Sequence, residues 1–545
     1  MALAVVASRA LLGLEAPAVQ VEVHLSGGLP AFGIVGLPEA EVREARERVR
    51  SALLNSSLPF PSARRIVVNL APADLPKESG RFDLPIALGL LAAQGAIDPA
   101  RLAGHEFAGE LSLSGELRPV RGALAMLCAA RSGATPRPPD TPRPGAHAPR
   151  SDPDATPPLE PPARRFVLPL ASAQEAAVAG TDGLLGARHL NEVVAYLCGN
   201  ADAASLHVEA ASAEACPGAR AHAAGAPGGA RVPDLSDVRG QALARRALEV
   251  AAAGAHHLLL VGPPGSGKTM LAQRLCGLLP GLDHEQALQS AALLSLDGSF
   301  DPRAWARRSL RSPHHTSSAA ALLGSLAAGR LRPGEVSLAH HGLLFLDELP
   351  EFDRRALEGL REPLEAGCVH LARAARRLSL PASFQLVAAM NPCPCGHLGD
   401  TTRECRCTPE QVQRYRARLS GPLLDRIDLR VEVAAMPPAE LFELPPGEPS
   451  AEVAERVRLA AERQQQRQGL PNARLEAGAL ERHCALQAAD RSWLAEALAS
   501  LGASARAAHR VLRVARSIAD LAAAPRLHRS HLAEALQLRR ALGGA

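Results

Sequence analysis

Apolar and polar positions alternate over Ala18-Val19-Gln20-Val21-Glu22-Val23-His24-Leu25. A period of two puts Val19, Val21, Val23 and Leu25 on the core face of a half-buried strand. Residues 1–9 predict a strand before it, because no basic run precedes their apolar positions as it would in an export signal. A Gly27-Gly28 turn leads to a strand over 31–36, and Arg65-Ile66-Val67-Val68-Asn69-Leu70 reads as another. Between these two, 39–54 predicts a helix with a mixed-charge, solvated face; after the second, 85–93 predicts an apolar helix. Residues 131–163 break the rhythm with eleven prolines, one leucine and no aromatic residue. Such a segment buries too little apolar surface to offset chain entropy and is expected to be a disordered insertion. A strand resumes at Arg165-Phe166-Val167-Leu168-Pro169, and the Ala- and Gly-rich 201–232 reads as an interdomain linker.

From Pro233 the pattern is compact again, with a helix expected over 237–253 and a short buried strand over 257–261. Gly262-Pro263-Pro264-Gly265-Ser266-Gly267-Lys268-Thr269 follows directly and fits G-x-x-x-x-G-K-[ST], the spacing of a nucleotide phosphate loop. The glycines let successive N–H groups turn inward on phosphate oxygens. Lys268 adds a point charge at the β- and γ-phosphates, and the Thr269 hydroxyl can ligate Mg²⁺. A helix begun by Met270-Leu271-Ala272 would present its N-terminus to the anion. A second apolar strand ends in Asp347-Glu348, where Asp347 would hold the Mg²⁺ shell and Glu348 would polarise the attacking water. A third, over 384–390, ends in Asn391, which reads either as a water-orienting group beside the γ-phosphate or as a turn former before Pro392. Arg426, flanked by Asp425 and Asp428, reads as an arginine finger in trans or as a local ion pair.

Composition narrows the classes. A net charge of +4 over 545 residues confines any nucleic-acid site to a local patch. No run of 18 apolar residues occurs, so no membrane span and a cytoplasmic location are expected. Only Lys77 and Lys268 among the 60 basic residues are lysines; a compact ammonium is needed at Lys268, and Lys77 stands out with no assigned role. Ten cysteines without an export signal argue against a disulfide framework. Four of them, Cys393, Cys395, Cys405 and Cys407, have a spacing that can make a tetrahedral Zn²⁺ site, although C-x-C replaces the usual C-x-x-C; free thiols or a redox pair are the alternatives. Residues 368–380 read as a hairpin with a basic tip. Arg373, Arg376 and Arg377 suit a phosphate backbone there, and the absence of aromatic residues makes phosphate contact, rather than base stacking, the expected grip. A solvated arginine-rich turn is the alternative.

Asp347-Glu348, Asn391 and Arg426 are placed as in AAA+ ATPases. Ser312-Pro313-His314-His315-Thr316-Ser317-Ser318, the stretch from Arg332-Pro333-Gly334 to His340-His341-Gly342, and Asn391-Pro392-Cys393-Pro394-Cys395-Gly396 resemble the magnesium-chelatase-like ATPases of the YifB/ComM type. The resemblance implies a Lon-protease-like α/β domain over 1–200, an αβα AAA+ core over 233–435 and a helical lid over 436–545. It implies ATP and Mg²⁺ as cofactors, a hexameric ring, and Arg506 in Ser504-Ala505-Arg506 as a second sensor. Its implied function is branch migration on single-stranded or branched DNA during recombination or natural transformation. Metal insertion into a porphyrin and protein remodelling are the other readings. By alignment Arg81 stands where a Lon-type protease places its nucleophilic serine, with Ser79 two residues early, so peptidase activity is not expected.

Overall fold

The computed structural model describes residues 2–37, 40–77, 79–131, 164–209, 233–327, 330–373, 376–400, 403–436, 443–502 and 504–541. The predicted insertion, apart from Arg131, and the linker from residue 210 onward lie outside the described residues, as do positions 374–375 at the hairpin tip.

The alternating segments of the first 200 residues build one seven-stranded mixed sheet. Its strands run in the order Ala31–Val35, Arg65–Ala71, Ala18–Ser26, Ala2–Arg9, His105–Phe107, Arg165–Pro169, Leu184–Ala187. Val19, Val21, Val23 and Leu25 are all buried, as the period-two pattern requires. Against them lies the helix Asp83–Ala93, every residue of which is buried; after Asp83, which pairs with Arg48, it is apolar all round. The stretch read as the start of the linker belongs to this unit. Ala203–Leu206 forms a 3₁₀ turn, and Leu206 and Val208 are buried in the core.

The second sheet has five strands, in the order Leu310–Arg311, Leu343–Leu346, Gln385–Met390, Leu258–Val261, Leu429–Glu432, and every neighbouring pair is parallel. Successive side chains point to opposite faces, so Leu258 and Leu260 join the core shared with the lid helices, while Leu259 and Val261 join the core on the other face. Burial on both faces explains the unbroken apolar runs. The helix expected over 237–253 is Ala242–Gly254. It starts late because Gly240 and Gln241 both have left-handed backbone, with φ of 61° and 48°. Beyond residue 449 the chain is helical, in Ser450–Gln468, Ala477–His483, Ala488–Ser500, Ala505–Leu521 and Arg529–Gln537.

The two sheets meet through helices. Ala123–Arg131 packs on His284–Asp297, and the Gly122 N–H donates to the Ser295 carbonyl at 3.0 Å. Among the described residues no helix is long and apolar enough to cross a membrane.

Candidate nucleotide site and arginine-bearing hairpins

In the parallel sheet the chain's first strand, Leu258–Val261, lies between its fourth and fifth, with Val261 opposite both Met390 and Glu432. Loops leaving the carboxyl ends at such a reversal of strand order form a natural ligand crevice. The phosphate loop occupies it. The Gly262 N–H donates to the Met390 carbonyl at 3.2 Å, and a Cβ on Gly262 would lie 2.2 Å from the Val433 carbonyl oxygen, which only glycine avoids. Gly265 and Gly267 take φ of 78° and 89°, the turn that aims N–H groups inward, and the helix Lys268–Leu275 starts at once.

Lys268 Nζ donates to the Gly262 and Pro263 carbonyls, each at 2.8 Å, and to Asn391 Oδ1 at 3.3 Å. Burial pushes its pKa down, and the Asp347 and Glu348 carboxylates oppose that shift. The Thr269 hydroxyl donates to Asp347 Oδ2 at 2.7 Å, and the Glu348 amide donates to Asp347 Oδ1 at 2.9 Å. Ser266 Oγ is buried with no hydrogen-bond partner among the described residues. A cationic amine, an orphaned hydroxyl and a hydroxyl–carboxylate pair of hard oxygens are the donor set that nucleoside triphosphate and Mg²⁺ need, so the residues present fit both.

Glu348 has φ of 53°, a left-handed conformation that costs a non-glycine residue about 1–3 kcal/mol and is typical of working sites. Its Oε2 lies 3.2 Å from His315 Nδ1. In the sequence His315 lies within a family-like stretch and has no assigned role. Tyr415 is buried, and that burial pushes its phenol pKa up to about 12, an effect the Asn391 backbone opposes.

Arg426 sits just before the amino end of Leu429–Glu432, whereas the phosphate loop follows the carboxyl end of the neighbouring strand. Leu258 pairs with Leu429 and Val261 with Glu432. Four residues of parallel strand therefore separate Arg426 from the loop of its own chain, about 13 Å. The guanidinium donates to the Pro422 carbonyl at 2.8 Å and pairs with Glu365. Behind it lies a buried network. Arg510 of the lid donates to Asp428 Oδ1 at 2.6 Å and to the Arg426 carbonyl at 3.0 Å, and the His257 amide donates to Asp428 Oδ2 at 3.2 Å. Burial alone would raise the Asp428 pKa, but His256, Arg510 and His257 pull it well below the usual carboxylate range. Arg506 is exposed one residue into its helix. On the same helix Arg510, Arg513 and Arg516 are tied to Asp428, the Leu475 carbonyl and Asp520.

The four clustered cysteines come together, their sulfurs all within 4.8 Å of one another. The predicted hairpin forms between Cys368–Arg373 and Arg376–Pro381, with Ala372 opposite Arg377 and Arg373 opposite Arg376. Arg377 is exposed, and Val369 and Leu380 anchor the base in the core. Beside it stands a hairpin that sequence reasoning missed, Gly324–Ala327 with Arg330–Pro333, which carries the exposed Arg332.

In the first domain, the Lys77 amine donates to the Pro72 carbonyl, and Ser79 Oγ accepts from Arg81 Nε at 3.0 Å. Each is engaged elsewhere, so the geometry shows no serine–lysine dyad. Lys77 is fully buried.

Comparison with known proteins gives the same layout. Residues 234–441 match the family described as magnesium chelatase, subunit ChlI, residues 21–136 match subunit ChlI of Mg-chelatase, and residues 447–539 match its C-terminal part. The protein YifB of Salmonella typhimurium is 47% identical over 99% of this chain and 97% of its own length. YifB of Escherichia coli is 45% identical over 99% and 97%. The competence protein ComM of Haemophilus influenzae is 44% identical over 99% of this chain and 98% of its own.

Proposed function

Because the chain belongs to the magnesium-chelatase-like ATPase family that includes YifB and ComM, we propose that it is an ATP-driven ring motor that grips DNA by its phosphates. The nucleotide is held in cis by residues 262–269. Thr269 and Asp347 hold Mg²⁺, which when bound neutralises charge on the β- and γ-phosphates. Glu348 orients and polarises water, and Asn391 faces the γ-phosphate. Arg506, one turn before the Arg510 that holds the Arg426 carbonyl, shares the Arg426 end of the sheet and reaches a neighbour's nucleotide from the lid. Arg426, too far from its own loop, completes a neighbour's site, which makes a closed ring, in our reading a hexamer, the working form.

The observation that carries the DNA reading is where the hairpin is inserted. It lies between the strand ending at Asp347-Glu348 and the strand ending at Asn391. A shift of Asn391 on hydrolysis would pass back along its strand to the hairpin base, and a shift of Asp347 and Glu348 would pass through the helices Arg354–Gly359 and Arg361–Ala366 that lead into it. Arg373, Arg376 and Arg377 at its tip, joined by Arg332 next door, offer sequence-independent phosphate contacts. A competence protein among the relatives supports a role in DNA uptake, and we read that role as branch migration during uptake and recombination.

The test is ATPase rate with and without single-stranded and forked DNA, for wild type and for Arg373/Arg376/Arg377→Ala. DNA should stimulate the wild type, and the triple variant should keep its basal rate and lose the stimulation. A rate indifferent to DNA would favour the metal-insertion or protein-remodelling reading instead.

A further inference from the structure

The cysteine cluster lies directly behind the nucleotide site. Cys393 Sγ is 3.4 Å from Cys395 Sγ and 3.7 Å from Cys405 Sγ, and Cys395 and Cys405 are 3.6 Å apart. Cys407 Sγ lies within 4.8 Å of all three. No pair is at the disulfide bond length of about 2.05 Å. A tetrahedron with metal–sulfur bonds of about 2.3 Å has edges of about 3.8 Å, close to the three measured separations. A two-iron cluster would instead spread the thiolates into two pairs on separate irons. The C-x-C spacing puts both sulfurs of a pair on one side of an extended backbone, and a turn after the first pair lets the chain bring the second pair to it. Gly396 takes φ of 84°, and its N–H donates to the Cys393 carbonyl at 3.0 Å. The Cys407 backbone amide also approaches Cys405 Sγ at 3.5 Å.

The same turn touches the phosphate loop. A Cβ on Gly396 would meet Pro264 Cδ at 2.5 Å, so the two backbones are in close packing. The cluster opens two residues after Asn391. It closes at Thr408, which caps the helix Pro409–Arg416 with a reciprocal Thr408–Gln411 pair. From that helix Arg416 Nε donates to the Pro392 carbonyl at 3.4 Å, next to Asn391.

We propose that Cys393, Cys395, Cys405 and Cys407 bind one Zn²⁺ as a tetrathiolate, and that this knot sets the position of both Pro264 and Asn391 at the nucleotide. Four thiols release four protons as four zinc–sulfur bonds form, with no change of oxidation state. The coupling half of the inference rests on the nucleotide reading above; the zinc half does not.

Metal content of the purified full-length protein, measured by mass spectrometry without nucleotide, should be about one zinc per chain. Cys405→Ser and Cys407→Ser should lose it. Absence of zinc, iron in its place, or full zinc retention in both variants overturns the site. Should the serine variants fail to fold, the wild type grown on cobalt settles the ligand set, since a cobalt tetrathiolate has intense visible absorption and oxygen-ligated cobalt does not. Gly396→Ala tests the coupling. It should keep zinc yet lower the ATPase rate on the order of tenfold or more, as a displaced phosphate loop requires. Unchanged nucleotide affinity and rate in a zinc-loaded Gly396→Ala protein overturns the coupling. A wild type that carries zinc but binds no ATP would instead refute the nucleotide reading and leave the zinc site standing.

Discussion

Arg510→Met removes the lid's hold on Arg426, the proposed arginine finger. Asp428 is 1% exposed, and Arg510 is the guanidinium that neutralises it, at 2.6 Å. Removing one partner of a buried pair leaves an uncompensated charge and costs about 3–5 kcal/mol. The His256 ring, 3.4 Å from Asp428, and the His257 amide soften that cost without replacing the cation. Asp428→Asn in the Arg510→Met background removes the orphaned charge, so the double variant should be more stable than the sum of the single changes by about 2 kcal/mol. Urea unfolding of all four proteins measures this directly. The activity readout is separate. Arg510 also fixes the Arg426 carbonyl at 3.0 Å, so the ATPase rate should fall on the order of tenfold or more. Affinity for a fluorescent ATP analogue should stay within about twofold, because distant sites act independently. Strict additivity in the cycle, or a loss of binding equal to the loss of rate, would refute the reasoning.

Lys268→Ala should lose nucleotide binding, whereas Glu348→Gln should bind ATP and hydrolyse it about 10²–10⁴-fold more slowly; binding by titration and single-turnover rates separate the two. The buried histidines set an acid limit. Burial pushes His257 and His341 down to about 4 and His340 to about 3, and the His257 and His340 rings accept backbone N–H bonds that need the neutral form. The unfolded chain therefore binds more protons between pH 6.5 and 4. Stability should fall as pH falls through that window, by at most about 1.4 kcal/mol per pH unit for each histidine. His340→Gln should lose less between pH 7 and pH 5 than the wild type does; equal losses would remove His340 from the account. Asp428 has a depressed pKa and acts lower, its contribution vanishing only as pH drops below the ordinary carboxylate range.

The parts legible in the sequence were those whose physics is local. The phosphate loop carries its whole geometry in eight consecutive residues, and the strands ending at Asp347 and Asn391 are short apolar runs closed by a polar residue. The hairpin over 368–381 showed its alternation. Its neighbour did not, because Gly324-Ser325-Leu326-Ala327 has no β-branched residue and no alternation of its own. The Asp428 network was hidden for a different reason. Its contacts join residues 82 and 171 positions apart, and nothing near Asp428 or Arg510 marks them as partners. Lys77 stood out in composition, but only the fold shows that its amine is spent on the Pro72 carbonyl.

In the proposed ring each hydrolysis site is shared between two subunits. Lys268→Ala and Arg426→Ala subunits, each inactive alone, should recover activity when mixed. An interface works when an intact phosphate loop on one subunit meets an intact arginine on the next. In randomly mixed rings at equal amounts that is about a quarter of the interfaces, so about a quarter of the wild-type ATPase rate should return. No recovery on mixing, or an Arg426→Ala protein that hydrolyses ATP at the wild-type rate alone, would contradict a shared site.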